Sequence, residues 1–201
     1  MLIGVDFDNT IVCYDGLFHR LAVESSLIPE EIPATKGHVR DYLRQRGRED
    51  AWTQLQGHVY GSRMNEAEAF PGVVDFFVRC RELGVKVCII SHKTRHPFQG
   101  PLYDLHQAAY EWLETHDFYD SGGIGLTHEQ VFFELTKPEK LSRIARLGCS
   151  HFVDDLPEFL SEPEFPKEIK RILFDPNQNH MKDSQFLRAT SWDEIGKLIA
   201  P

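Results

Sequence analysis

Asp6 and Asp8 stand two residues apart where the apolar run Leu2 to Val5 ends, in the stretch LIGVDFDNT. Three more apolar runs end in residues able to do chemistry. VKVCII is followed by Ser91, VFFEL is followed closely by Lys137, and Cys149 to Val153 is followed by Asp154 and Asp155. Carboxylates, a hydroxyl and an ammonium delivered to one place can attack, hold and neutralise an anionic ester. An Asp-x-Asp after a strand also serves as a plain acidic turn accepting backbone N–H groups. The recurrence of such ends, in an order one reaction would need, favours chemistry over four separate turns.

The elements that must position these residues follow from the pattern. Short apolar runs without polar interruption read as strands buried on both faces of a parallel sheet. In open α/β sheets the space beyond the carboxyl ends of the strands is where ligands bind. Five such strands are expected: Leu2–Val5, Val85–Ile90, Val131–Leu135, Cys149–Val153 and Ile169–Phe174. Between them lie helices, one opened by Pro71 and Gly72, one at Leu102–Thr115, one at Glu139–Leu147, and a last one capped by Ser191. The expected fold is α/β, a doubly wound, Rossmann-like, mainly parallel sheet with right-handed crossovers.

From Ile11 to about Ala69 the pattern changes to helices broken by Pro29, Pro33, Gly37 and Gly47. This stretch far exceeds an ordinary connection of about 2–6 residues, so it reads as a small helical cap. The expected division is a core of 1–14 and 70–201 and a cap of 15–69, with the segment from Pro97 to Gln130 long enough to join the cap in forming the pocket. The run Arg40 to Asp50 reads as a solvated helix face. Its alternative reading is a cap cation, Arg40 or Arg44, gripping a substrate's anionic end. SGGIG at 121–125 does not join a clear strand to a helix and is no dinucleotide fingerprint.

With 22 basic against 31 acidic residues the net charge is −9, which argues against a nucleic-acid surface, since such surfaces carry a basic face. No stretch approaches the roughly 20 apolar residues of a membrane helix, and Asp6 interrupts the first run too early for a signal peptide. Cys13, Cys80, Cys88 and Cys149 show neither zinc nor disulfide spacing, and a reducing cytoplasm is the expected setting. His92 and His96 have a metal spacing only if helical, which Pro97 opposes; they read better as part of a substrate-facing loop.

DFDNT, IISHKT, the helix-start Lys137 and FVDDLPE together resemble the four motifs of the haloacid dehalogenase superfamily, in its branch of magnesium-dependent phosphatases. The resemblance spans residues 2 to 157. It implies hydrolysis of a small phosphorylated metabolite, such as a sugar phosphate or a nucleotide monophosphate, through an aspartyl-phosphate. A phosphomutase would keep the same residues, whereas Asp6, Asp8, Lys137 and Asp155 together argue against a phosphate-sensing protein without turnover, since a pure binder has no need of an acid/base Asp. A dehalogenase is disfavoured by the presence of Asp8.

In this reading Asp6 is nucleophile and metal ligand, and Asp8 is the acid and base and also joins the metal set. Ser91 and His92 face the substrate; Thr10 is grouped with them, chiefly as the residue that fixes the loop backbone. Lys137 supplies the cation, preferred over Lys140 because it directly follows its strand. The resemblance makes Asp155 a metal ligand, with Asp154 orienting the lysine or binding metal through water. Mg²⁺ is the expected cofactor, since two unit charges 4 Å apart repel by about 4 kcal/mol at an effective dielectric of 20, and an oxygen-liganded cation offsets this.

Overall fold

The computed structural model describes residues 1–180 and 185–199; residues 181–184 and 200–201 of the expected core range lie outside the described residues. The chain forms two compact units, one of Met1–Ile11, Ala69–Lys93 and Asp117–Pro201, the other of Val12–Glu68 and Thr94–His116. The segment Thr94–His116 therefore leaves the expected core and belongs to the helical unit. No local pattern marks a change of unit there, because α5 (Leu105–Thr115) is an ordinary amphipathic helix with Asp104 capping it.

The sheet-bearing unit is built on β1 (Leu2–Val5), flanked in parallel by β4 (Lys86–His92) and β6 (His151–Asp154). β5 (Val131–Glu134), β7 (Lys170–Phe174) and β8 (Leu187–Ala189) extend it to six parallel strands in the order β5-β4-β1-β6-β7-β8. The sixth strand, β8, was not expected; three residues of mixed polarity carry no strand signal by themselves. Two-residue strands β2 (Val12–Cys13) and β3 (Glu68–Ala69) pair as a separate ribbon.

Strand alternation decides what each face meets. Cys88, Ile90, Phe152 and Leu173 point to one face, where they bury Leu141 and Ile144 of α6 (Lys137–Leu147) and Phe159 and Leu160 of α7 (Pro157–Leu160). Phe174 turns the other way, its ring 5.8 Å from Trp192 of α8 (Trp192–Ile199); Trp192 also packs 5.0 Å from Phe76 of α4 (Val73–Glu82). Helices on both faces make the sheet doubly wound. Gly4 lies on the α6 face, where an added Cβ would come within 2.6 Å of the Phe152 ring.

In the helical unit, α1 (Asp15–Glu24), α2 (Lys36–Gln45) and α3 (Glu49–Tyr60) close over Tyr14, Phe18 and Trp52, with Phe18 stacked 4.9 Å from Trp52. Arg40 and Arg44 are engaged with Asp41 at 2.8 Å and Glu49 at 2.7 Å on an exposed face. Exposed pairs of this kind contribute about 0–1 kcal/mol each, so this is a solvated surface.

At the edge of the sheet, buried Asp175 accepts from the backbone N–H of Asn179 at 2.8 Å and His180 at 3.0 Å and from Arg188 Nε at 2.8 Å. Burial alone would raise its carboxyl, but the N–H groups of His180 and Asn179 and the Arg188 guanidinium outweigh it and hold the group below the ordinary range. A carboxylate with a lowered folded value stabilises above the unfolded value of 3.8 and loses that contribution as pH falls through the lower folded one. Asp175→Asn is therefore expected to cost about 1–3 kcal/mol at pH 7 in urea unfolding. The gap from wild type should close below about pH 4. An equal gap at pH 7 and pH 3 would contradict this account.

Candidate active site

Asp6 and Asp154 follow from the alternation already described. Leu2 and Gly4 face α6, so Asp6, next in phase, leaves the end of β1 on that face. Phe152 does the same in β6, and Asp154 is again next in phase. Both carboxylates are buried, Asp6 at 5% exposure and Asp154 at 0%. They converge on Lys140 Nζ, 2.6 Å from Asp6 Oδ1 and 2.6 Å from Asp154 Oδ2.

The lysine at the carboxylates is thus Lys140, and Lys137 is corrected. The buried side of α6 carries Lys140, Leu141 and Ile144, and Lys137 falls outside it. A helical side chain leans toward the helix N-terminus, so a lysine one turn inside the helix is carried back to the strand ends. Lys137 instead lines an open groove of about 470 Å³ with Pro138, Leu141 and Glu164. The helix start is fixed by Thr136, whose hydroxyl accepts from the Glu139 N–H at 3.3 Å.

Three charges in so small a space disturb one another. Burial would lower the Lys140 ammonium, but Asp154 and Asp6 outweigh it and hold it above the ordinary lysine value. Burial pushes the Asp154 carboxyl up to about 7, against the opposing pull of Lys140 and with the help of Asp6. Asp154 Oδ1 accepts from the Leu156 N–H at 2.9 Å, which turns the chain into α7.

Asp6, Asp154 and Asp155 each offer an oxygen within 4.8 Å of the others, a spacing and donor chemistry that fit a hard divalent cation such as Mg²⁺. Asp8 does not belong to that group, contrary to expectation. Its carboxylate is held by Lys93 Nζ, 2.8 Å from one oxygen and 2.9 Å from the other. The turn that follows Asp8 puts Asn9 in the left-handed region, at φ +58°, a conformation Asn tolerates better than most residues. Lys93 was missed because a lysine just past a strand end reads as surface, yet only 4% of it is exposed.

Thr10 is fully buried, with its hydroxyl 3.5 Å from Asp155 Oδ1 and its carbonyl accepting from the Trp192 indole at 3.2 Å. It fixes the loop at the end of β1 against Asp155 and α8. Ser91, 1% exposed, lies in β4 two residues beyond Ile89, the partner of Val5 in β1. His92 is the last residue of β4, and its Nε2 lies 3.1 Å from the Leu135 carbonyl. Burial of the ring, with Lys140 and Lys137 nearby, holds its imidazole below the ordinary value, against the opposing contact with the Leu135 carbonyl.

No protein-family profile matches the sequence, and no curated protein does. Solved structures resemble it in fold. They include a dehalogenase (14% identity over 100% of this chain and 97% of that one, TM-score 0.60). A phosphoserine phosphohydrolase-like protein from Francisella tularensis subsp. tularensis matches at 14% identity over 98% and 99% of the two chains, with a TM-score of 0.58. A HAD family hydrolase from Deinococcus radiodurans with bound phosphate and sodium matches at 15% identity over 100% and 97%, with a TM-score of 0.57. The chain has the fold that these HAD-superfamily hydrolases share.

Proposed function

We propose that this chain, which carries the HAD-superfamily hydrolase fold, is a magnesium-dependent phosphatase of that superfamily acting on a small phosphorylated metabolite, a sugar phosphate or a nucleotide monophosphate. The observation that carries the reading is Asp6 at the strand end, hydrogen-bonded to buried Lys140 and grouped with Asp154 and Asp155. A nucleophilic carboxylate, a fixed cation and a set of oxygen ligands are what transfer of a phosphoryl group to an enzyme demands.

Asp6 attacks the phosphorus, the bond to the leaving oxygen breaks, and Asp8 gives that oxygen a proton. Asp8 then takes a proton from water as the water attacks the aspartyl-phosphate, Asp6 is released, and orthophosphate departs. Lys140 holds Asp6 in place and supplies positive charge where negative charge gathers, while Asp154 orients Lys140. Ser91 and His92 are proposed to bind the phosphoryl group or its ester. Asp6 and Asp155, with Asp154 beside them, would hold Mg²⁺, which when bound offsets the repulsion between Asp6 and the anionic substrate. A reducing cytoplasm is the proposed setting, and all four cysteines stand as free thiols. Among the described residues no helix is long and apolar enough to cross a membrane.

The test is phosphate release from a panel of phosphorylated metabolites with Mg²⁺ and with excess EDTA. Mg²⁺-dependent release is expected, lost by at least about a hundredfold on chelation and restored by added Mg²⁺. Turnover indifferent to EDTA would remove the metal from the reading. A silent panel combined with tight phosphate-ester binding would replace the enzyme by a sensor.

A further inference from the structure

We infer that Lys93 is a positioning residue, which grips both carboxylate oxygens of Asp8 and holds that group in line with the leaving oxygen of the substrate. The inference rests on the acid and base role proposed for Asp8.

Lys93 Nζ lies 2.8 Å from Asp8 Oδ1 and 2.9 Å from Oδ2, and only 4% of the residue is exposed. A lysine otherwise ranks among the residues least often buried. Both ends of this one are held. Its backbone N–H donates to the Glu134 carbonyl at 2.8 Å, continuing the β4–β5 ladder one step past His92. Its ammonium lies 5.5 Å from the centre of the Phe7 ring, which is itself buried and meets Phe133 edge to face at 5.3 Å.

A buried ion pair is a weak source of stability, because desolvation of both charges offsets their attraction. What a two-oxygen grip does supply is orientation. Asp8 lies three residues beyond the end of β1, in an isolated bridge just before the turn that begins at Asn9, so the alternation of the main sheet does not set its side-chain torsions. An acid and base group acts only within hydrogen-bond reach and alignment of the atom it serves. Lys93 provides for Asp8 what Lys140 provides for Asp6, a buried cation that fixes a carboxylate at the carboxyl edge of the sheet.

The experiment compares kcat/KM for two monoesters hydrolysed by the wild type, an alkyl phosphate from the panel above and p-nitrophenyl phosphate. The alkyl ester needs a proton on its leaving oxygen; the nitrophenolate does not. Lys93→Met is expected to lower kcat/KM for the alkyl ester by about a hundredfold and for the aryl ester by less than about fivefold. Loss of the same size on both esters would overturn the inference, since misfolding or direct contact with the phosphoryl group acts on both alike.

Because Lys93→Met leaves a carboxylate without its ammonium, the double variant Asp8→Asn/Lys93→Met, in which neither charge remains, guards against a folding failure. If Lys93 acts through Asp8, the double variant matches Asp8→Asn alone on the alkyl ester within about threefold. A further loss of about tenfold or more would show that Lys93 acts elsewhere and sink the proposal. A wild type that hydrolyses neither ester instead overturns the proposed phosphatase, and with it the role given to Lys93.

Discussion

Asp6→Asn is expected to lower phosphate release by at least about 10³-fold on every ester the wild type hydrolyses, with little change in thermal stability. The amide has no anionic oxygen to form a bond to phosphorus, so the reaction loses its covalent route and not merely part of its alignment. The fold has less to lose. Asp6 shares one ammonium with Asp154 and lies in a group of three carboxylates, so neutralising it relieves like-charge repulsion while Asp154 still satisfies Lys140. The pair of measurements is steady-state phosphate release and the unfolding midpoint. Wild-type protein quenched in acid during turnover should also carry a hydroxylamine-labile phosphoryl group that the variant lacks. Activity within tenfold of wild type in a folded Asp6→Asn protein would end the nucleophile assignment.

Lys140→Met should be among the most destabilising single changes in the sheet-bearing unit, and Lys137→Met should be nearly silent. Removing Lys140 leaves the Asp6 and Asp154 carboxylates buried beside Asp155 without their shared ammonium. Breaking a buried pair in this way costs about 3–5 kcal/mol. For a chain of this size that corresponds to a drop of roughly 10 °C in the unfolding midpoint. Activity should fall with it, because Asp6 loses both its orientation and the charge that stabilises the transition state. Lys137 is only partly buried and opens α6, where a cation gains nothing from the helix dipole, so its replacement should stay within about 0.5 kcal/mol. Differential scanning calorimetry of both variants decides the matter. Equal destabilisation by the two would mean that the geometry at the start of α6 is not as described.

Much of the architecture could be read from local pattern. β1, β4, β5, β6 and β7 are apolar runs whose edges are marked by Asp, Ser, Gly or Pro, and buried parallel strands leave that signature because both of their faces are covered. β8 could not be read, since Leu187–Ala189 becomes a strand only because β7 offers an open edge and Asp175 anchors Arg188. The sequence leaves open whether a segment beyond Pro97 joins the helical unit, and only the structure assigns Thr94–His116 to it. That assignment depends on which elements pack together across long separations in sequence, and an amphipathic helix shows that it has a buried face without showing against what.

The candidate site divides along the same line. The strand-end places of Asp6, Asp154 and Asp155 are determined by the sequence itself, because a carboxylate that ends an apolar run can only emerge at the end of that strand; that Asp8 turns to Lys93 and away from their group is a tertiary outcome. The two lysines are decided by tertiary structure alone. Whether Lys137 or Lys140 reaches Asp6 depends on which side of α6 lies on the sheet and on the backward lean of helical side chains. Whether Lys93 is a surface charge or the partner of Asp8 depends on where the β4–β5 ladder stops. A long flexible cation takes its function from what it reaches, and sequence spacing fixes where such a chain begins but not where it ends.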